Sequence, residues 1–461
     1  MPPVPPELRE SLHQHGQDHV LASFDAIPEA QQQALLDALQ SLDLAELKNL
    51  YAHREDKFQL PARETVAALP RPNCDQRQQQ EYRGLAESAF RNGQVAYLVV
   101  AGGQGTRLGF TQPKGMFPIG PVSNKTLFQF HAEKILALRQ RYGAAIPLLV
   151  MTSPATDAET RRFFDEQRCF GLPADDVWFF RQGTMPALDL QTGKVLMEAP
   201  GRLALSPNGH GGTLAGLADS GLLARLRDQG VETIYYFQVD NPLTNLADHV
   251  FLGQHLAQNA EASSKVLPKR DPLEKVGNFA IVDGRCSMIE YSDLPKDWAL
   301  ETDADGQLLF WAGNPAIHLF DTRFLQRLAS VAQSLPWHVA KKKVPYCNDQ
   351  SETVTPEKEN AVKFERFIFD VLPLAERWTV LATAREDEFA PVKNAEGNDS
   401  PETAKQALSD LGKRWLGQHG VEVDPSPDVL VEISPLFALD ASDLSGKLTG
   451  TTKVDRSLHL S

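Results

Sequence analysis

The sequence predicts an α/β protein on three observations: an apolar run that breaks off at glycine, alternating strand and helix patterns behind it, and leucines at helical spacing ahead of it. The run Val95-Ala96-Tyr97-Leu98-Val99-Val100-Ala101 has no polar alternation and stops at Gly102, as a parallel strand buried on both faces does. Similar runs at 146–151, 177–180 and 233–239 are separated by helical patterns at 126–142, 158–166 and 213–228. Strands alternating with helices imply a parallel sheet covered by helices.

Ahead of this core, Leu35, Leu36, Leu39, Leu42, Leu44, Leu47 and Leu50 recur at intervals near three and four among Gln, Glu and Asp, which predicts amphipathic helix within 7–51. A polar, proline-bearing stretch at 69–73 precedes another helical pattern through Phe90. Beyond Thr403 comes one more helix, and then Val429 to Leu436 alternates like a half-buried strand and opens a short β-rich tail. The expected organisation is an N-terminal helical segment over 1–92, a main domain over 93–402 and a small C-terminal domain over 403–461.

Composition narrows the function classes. The 461 residues carry 46 Lys plus Arg against 60 Asp plus Glu, a formal charge of −14, which argues against a nucleic-acid-backbone binder. The one dense basic run, Lys341-Lys342-Lys343, reads as a solvated loop. Cys74, Cys169, Cys286 and Cys347 form no Cys-x-x-Cys pair, so neither a zinc site nor a disulfide framework is suggested and a cytoplasmic location fits. The first residues lack an export-signal pattern and no apolar run reaches membrane-spanning length, so no membrane association is expected. No obligate protein partner is evident either.

The strand ending at Ala101 runs into Gly102-Gly103-Gln104-Gly105-Thr106-Arg107-Leu108-Gly109 and then Pro113-Lys114-Gly115. Glycines let backbone N–H groups approach an anionic triphosphate, while Arg107 and Lys114 can neutralise phosphate charge. The spacing fits neither familiar phosphate loop. The Gly105 to Gly109 interval is one residue too long for the dinucleotide fingerprint, and Lys114 precedes its glycine where a Walker loop has it follow. The bland alternative is a tight turn with a surface Lys and Arg.

The run 233–239 delivers Asp240-Asn241-Pro242, placing a carboxylate at a strand's carboxyl end, where open α/β sheets bind ligands. Asp240 is the candidate for magnesium, which needs one or two carboxylates plus phosphate oxygens and water; the alternative is a cap on the next helix. Ser206-Pro207-Asn208-Gly209-His210-Gly211-Gly212 could admit a flat base or sugar against the backbone, or be a turn and cap, with His210 a surface or core histidine. No Ser-His-Asp arrangement or metalloprotease motif supports hydrolysis.

Together the ordered strings resemble the eukaryotic-type UDP-N-acetylhexosamine pyrophosphorylases, within the wider UDP-sugar pyrophosphorylase family, over 95–436. They are AGGQGTRLG with PKG at 101–115, KTLFQFHAEKI at 125–135, QGTMPA at 182–187, PNGHGG at 207–212, QVDNPL at 238–243 and IEYSDL at 289–294. AGNPAIH at 312–318, HVAKKKVPY at 338–346, NAVKFERFIFD at 360–370, REDEFAPVKNAEGNDSPETA at 385–404 and EISPL at 432–436 complete the series. The resemblance implies a Rossmann-like nucleotidyltransferase domain with a GT-A-like mixed sheet, flanked by extensions. It puts Gly102, Gly103, Gln182, Gly209 and His210 on the nucleotide, Arg107 and Lys114 on the triphosphate, Lys363 near the reacting phosphates and Asp240 on magnesium. Gly277, Glu290 and Asn314 fall on the sugar.

The implied reaction joins UTP to a sugar 1-phosphate, releasing pyrophosphate and leaving a UDP-sugar, by direct attack on the α-phosphorus. N-acetylglucosamine 1-phosphate is the expected sugar substrate, with N-acetylgalactosamine 1-phosphate shared and glucose 1-phosphate the alternative. Two positions depart from the family pattern: His210 replaces an Asn, and Ile317 replaces the second Asn of the Ala-Gly-Asn-x-Ala-Asn-His string. Readings of other classes are a UDP-sugar binder without turnover and a nicotinamide-dependent oxidoreductase.

Overall fold

Six consecutive buried residues, Val95–Val100, form the strand about which the larger part of the molecule is organised. The computed structural model describes residues 3–56, 59–72, 74–330, 335–448, 450 and 452–461. Asn73, at the end of the polar stretch, lies outside them. Contacts divide the chain into two units, one of Leu60–Arg181, Leu214–Gln333 and Phe369–Ser461, the other of Met1–Gln59, Gln182–Thr213 and Ser334–Ile368. These divisions differ from the boundaries expected at 92 and 402. Residues 60–92 go with the sheet because Val66–Ala68 pairs with Asn278–Val282, and the C-terminal part shares the same unit.

The larger unit holds an 11-stranded sheet. Val95–Val100 runs parallel to Thr233–Gln238 on one side and to Leu148–Thr152 on the other, with Val177–Arg181 parallel beyond. Next to Thr233–Gln238 the strand His318–Asp321 is antiparallel, as is Ala262–Pro268 to it, so the sheet is mixed, as the resemblance implied. Tyr97, Val99, Tyr235, Phe237, Leu148 and Val150 pack with Phe128, Ile135 and Leu138 of the helix Leu127–Tyr142. That helix starts where Thr126 accepts a hydrogen bond from Gln129 N–H and ends at Gly143, which has positive φ.

The single helix expected over 213–228 is two, Gly212–Asp219 and Leu222–Asp228, because Gly221 adopts φ 71° between them. At the C-terminus the helix Pro401–Gln418 begins with a capping box on Ser400. The alternation at 429–436 yields only the strand Val431–Ile433, which pairs with Leu458–Leu460, while Glu422–Val423 pairs with Lys453–Val454. The β-rich character is therefore confined to short parallel pairs, held on the helix by Leu416, Val431 and Leu444.

In the smaller unit the leucine pattern resolves into Pro6–Gln14, Glu29–Gln40 and Leu44–Ala52. Leu35, Leu36, Leu39, Leu44 and Leu47 are buried together with Val362 and Phe364, each leucine contributing roughly 1.5–3 kcal/mol by leaving water. Val362 and Phe364 are one face of the strand Ala361–Glu365, which pairs with His338–Lys342 and with Leu188–Asp189. Lys363 consequently stands on the opposite face. The Lys341–Lys343 run, expected in a loop, mostly belongs to the strand His338–Lys342.

Candidate active site

Because the chain proceeds from Val95–Val100 to Leu148–Thr152 and Val177–Arg181 on one side and then returns to Thr233–Gln238 on the other, the strand order reverses at Val95–Val100, and its carboxyl end is a topological switch point, the place where open α/β sheets receive ligands. The glycine loop leaves from this end. Gly102 O accepts a hydrogen bond from Ser153 Oγ at 2.8 Å, and Gly103 O accepts one from Lys114 N–H at 3.1 Å. The glycines serve different ends. A Cβ on Gly105 would lie 2.7 Å from the Phe110 ring, and one on Gly115 would lie 2.2 Å from the Phe128 ring, so Gly105 lets the loop close on itself and Gly115 lets it pack against the helix Leu127–Tyr142. A Cβ on Gly103 would meet open space, and Gly103 is exposed, leaving its backbone approachable.

On the neighbouring strand end, Asp240 Oδ2 lies 3.2 Å from Lys114 Nζ, with the two side chains 18% and 19% exposed. Lys114 is thus paired and mostly buried, not the surface lysine of a bare turn. Asp240 is not a helix cap either: the next helix, His249–Ala257, is capped by Asp248, which accepts from Phe251 N–H. Arg107 projects from the short turn Thr106–Leu108 and is exposed. Among the described residues no group of three or more His, Cys, Asp or Glu is placed to hold a metal ion. A lone carboxylate at a phosphate loop is the donor set of a cation that arrives with the nucleotide's phosphate oxygens and its own water, not of an all-protein cage.

Gly277, Glu290 and Asn314 come together across three segments of the same unit. Asn314 N–H donates to Gly277 O at 3.0 Å, and the position a Gly277 Cβ would take is 3.5 Å from Glu290 Oε1. Asn314 Oδ1 accepts from Ala316 N–H at 2.8 Å, which fixes the carboxamide. Ile317, where the family pattern has Asn, is 1% exposed in the sheet core and takes no part in this cluster.

In the smaller unit, Gln182 and Gly209 are brought together by the pairing of Thr184–Pro186 with Leu205–Pro207 and by Asn208 N–H donating to Gly183 O at 3.1 Å. Gly209 has φ 84°, and a Cβ there would lie 2.3 Å from Arg366 O, so the backbone comes too close for any side chain. His210 stacks on Phe367 with ring centroids 5.1 Å apart, and its Nδ1 accepts from Ile368 N–H at 3.2 Å. Burial, reinforced by His338, holds the His210 imidazole down to about 4, so it is neutral at physiological pH. Burial also lowers the Lys363 ammonium, against the opposing charge of Glu365.

Two contributors were not singled out from the sequence. Asn208 Oδ1 is buried without a hydrogen-bond partner, beside the positions that side chains on Gly183 and Gly212 would fill. Ser153 steadies Gly102 from the adjacent strand end. Asn208 lay within a quoted string, but Ser153 carried no local signal.

The mixed sheet, the glycine loop at its switch point and the lysine–aspartate pair define a nucleotide-handling α/β protein of the nucleotidyltransferase class. The family described as UTP–glucose-1-phosphate uridylyltransferase matches residues 47–445, and the chain belongs to it. The UDP-N-acetylglucosamine pyrophosphorylase of Saccharomyces cerevisiae is 38% identical over 379 residues, 80% of this chain and 79% of the yeast protein. Human UDP-N-acetylhexosamine pyrophosphorylase-like protein 1 is 36% identical, covering 96% of this chain and 95% of its own. The crystal structure of the uridine diphosphate N-acetylglucosamine pyrophosphorylase from Trypanosoma brucei in complex with inhibitor superposes with a TM-score of 0.80 at 29% identity, over 98% of this chain and 97% of that one.

Proposed function

We infer that this chain is a uridylyltransferase that forms UDP-N-acetylglucosamine and pyrophosphate from UTP and N-acetylglucosamine 1-phosphate. The observation that carries this reading is the pairing of Lys114, on the glycine loop, with Asp240, just past the neighbouring strand's end, in a chain whose relatives bear the names of that reaction. A phosphate oxygen of the sugar 1-phosphate attacks the α-phosphorus of UTP, a new P–O bond forms, and the bond to the β-phosphate oxygen breaks as pyrophosphate leaves in line. No protein nucleophile takes part. Both reactants are polyanions, so the protein's task is to align them and to offset their repulsion.

In this reading Lys114 and Arg107 bind the triphosphate, Lys363 offsets charge on the reacting phosphates, and Gly102, Gly103, Gln182, Gly209 and His210 receive the uridine side. Neutral His210, with its ring fixed on Phe367, offers a flat apolar face in place of a charge. Gly277, Glu290 and Asn314 hydrogen-bond the sugar. Asp240 holds magnesium, and the ion when bound supplies Lewis-acid neutralisation of the phosphate oxygens. The four cysteines are free thiols and no helix among the described residues is long and apolar enough to cross a membrane, which supports a cytoplasmic setting.

The substrate assignment is tested by comparing kcat/KM for N-acetylglucosamine 1-phosphate, N-acetylgalactosamine 1-phosphate and glucose 1-phosphate at saturating UTP. A preference for the acetylated sugars is expected. A preference for glucose 1-phosphate would move the chain to the glucose branch of its family.

A further inference from the structure

The loop that carries Asp240 is held along its whole length by groups that the reaction chemistry does not use. His131 Nε2 donates to Val239 O at 3.0 Å, and Val392 N–H donates to Asp240 O at 2.8 Å. Asn241, 2% exposed, commits both ends of its carboxamide to one segment: Nδ2 donates to Glu388 O at 2.8 Å and Oδ1 accepts from Ala390 N–H at 3.0 Å. Lys134 Nζ donates to Pro242 O at 2.6 Å and Thr244 O at 2.7 Å. The loop closes where Asn245 N–H donates to Glu388 Oε1 at 2.8 Å.

Behind Glu388 stands a buried ion cluster. Lys265 Nζ, fully buried, is 2.8 Å from Glu388 Oε2 and 2.8 Å from Asp248 Oδ2. Removing three charges from water costs about as much as their attraction returns, so a cluster of this kind is weak evidence for stability and better explained by a requirement for one geometry. What it makes unique here is the position of residues 388–392 against the Asp240 loop. Val392 and Ala390 act through main-chain N–H groups, so the side chains that rivet the loop to that segment are Glu388, through Asn245 N–H, and Asn241, the loop's own, directly beside Asp240.

We propose that Asn241, fixed by the Glu388–Val392 backbone and backed by Glu388 and Lys265, is a positioning residue that sets the Asp240 carboxylate for a divalent cation carried by the nucleotide. The inference rests on Asp240 being the metal ligand. Groups that orient a ligand's carboxylate change metal affinity when removed, typically by about 10–100-fold, without touching the ion. They leave the substrate's distant contacts alone. The two strings KTLFQFHAEKI and REDEFAPVKN, which supply His131, Lys134, Glu388, Ala390 and Val392, thereby acquire a shared task.

The test is equilibrium binding of Mn²⁺, as a spectroscopic substitute for magnesium, to the full-length protein in excess over UTP, read from the free-ion electron paramagnetic resonance signal. Asn241→Ala should weaken Mn²⁺ binding about 10–100-fold and lower kcat, with KM for the sugar 1-phosphate unchanged. Asn241→Ser, which disturbs packing less, replaces it should the alanine variant not fold. Asp240→Asn is the reference and should weaken Mn²⁺ at least as much. If Asp240→Asn weakens the ion and a folded Asn241 variant binds it like the parent, the positioning role is wrong and the metal reading stands. If Asp240→Asn itself binds Mn²⁺ like the parent, Asp240 is not the ligand and both readings fall.

Discussion

Lys114 and Asp240 are 3.2 Å apart and mostly withdrawn from water, so each tunes the field in which the other works. Replacing either with Ala is expected to lower kcat by roughly 10²–10³, the usual cost of deleting one preorganised charge contact to a transition state. Thermal melting should remain close to that of the parent, because neither side chain is in the core. A near-normal rate in either folded variant would contradict the roles assigned to them. The glycines make a finer distinction. Gly105→Ala should lower the melting temperature, since its Cβ would sit 2.9 Å from the Phe110 carbonyl as well as against the ring. Gly103→Ala should leave the melting temperature unchanged and raise KM for UTP, because the methyl meets no protein atom and occupies only open space on the side assigned to the uridine. Both outcomes are read from one melting curve and one UTP titration per variant.

Elements far apart in sequence shape the turn that leads into the helix Leu127–Tyr142, and they show how far local pattern carries. Glu432, 2% exposed on Val431–Ile433, accepts hydrogen bonds from Val122 N–H at 2.8 Å and Ser123 N–H at 2.7 Å, and also from Ser123 Oγ. Glu432→Ala would leave those donors without their acceptor, at about 1–3 kcal/mol for a buried one, and should lower the denaturant midpoint accordingly. An unchanged midpoint would mean that water replaces the carboxylate at no cost. The strands at 95–100, 148–152, 177–181 and 233–238 were legible because buried parallel strands are nearly continuous apolar runs. The helix break at Gly221 was missed because apolar spacing continues through it, and the 429–436 alternation overstated a strand that Pro435 cannot extend. Lys114, Asp240, Gly277, Glu290 and Asn314 were named from the sequence and do converge in their groups within the larger unit. Asn241 and Glu388 had no signal of their own in the sequence, because side chains that bond only distant main-chain carbonyls and N–H groups form no local motif.

Across the whole molecule, several buried histidines couple folding to pH. Burial holds His131 and His255 down to about 3 and His210 to about 4, with the nearby Lys134 charge adding to the effect at His131. Each has an ordinary value near 6.5 once unfolded, so between the folded and unfolded values the unfolded chain binds more protons. Stability contributed by these neutral rings is complete above pH 6.5 and is lost as pH falls from there toward 4 and 3. Melting temperature should therefore fall across pH 6.5 to 4, and His255→Gln, whose ring Nδ1 is 2.7 Å from Ser263 Oγ, should flatten that slope while lowering stability at neutral pH. A slope identical to the parent's would mean that His255 titrates normally in the fold.

The most direct measurement is release of pyrophosphate from UTP and magnesium on addition of N-acetylglucosamine 1-phosphate to the purified, demonstrably folded chain. Stoichiometric pyrophosphate and UDP-N-acetylglucosamine, with none formed when the sugar phosphate is withheld, is the predicted result. Absence of pyrophosphate with this or any other sugar 1-phosphate would contradict the account and leave a UDP-sugar-binding protein without turnover.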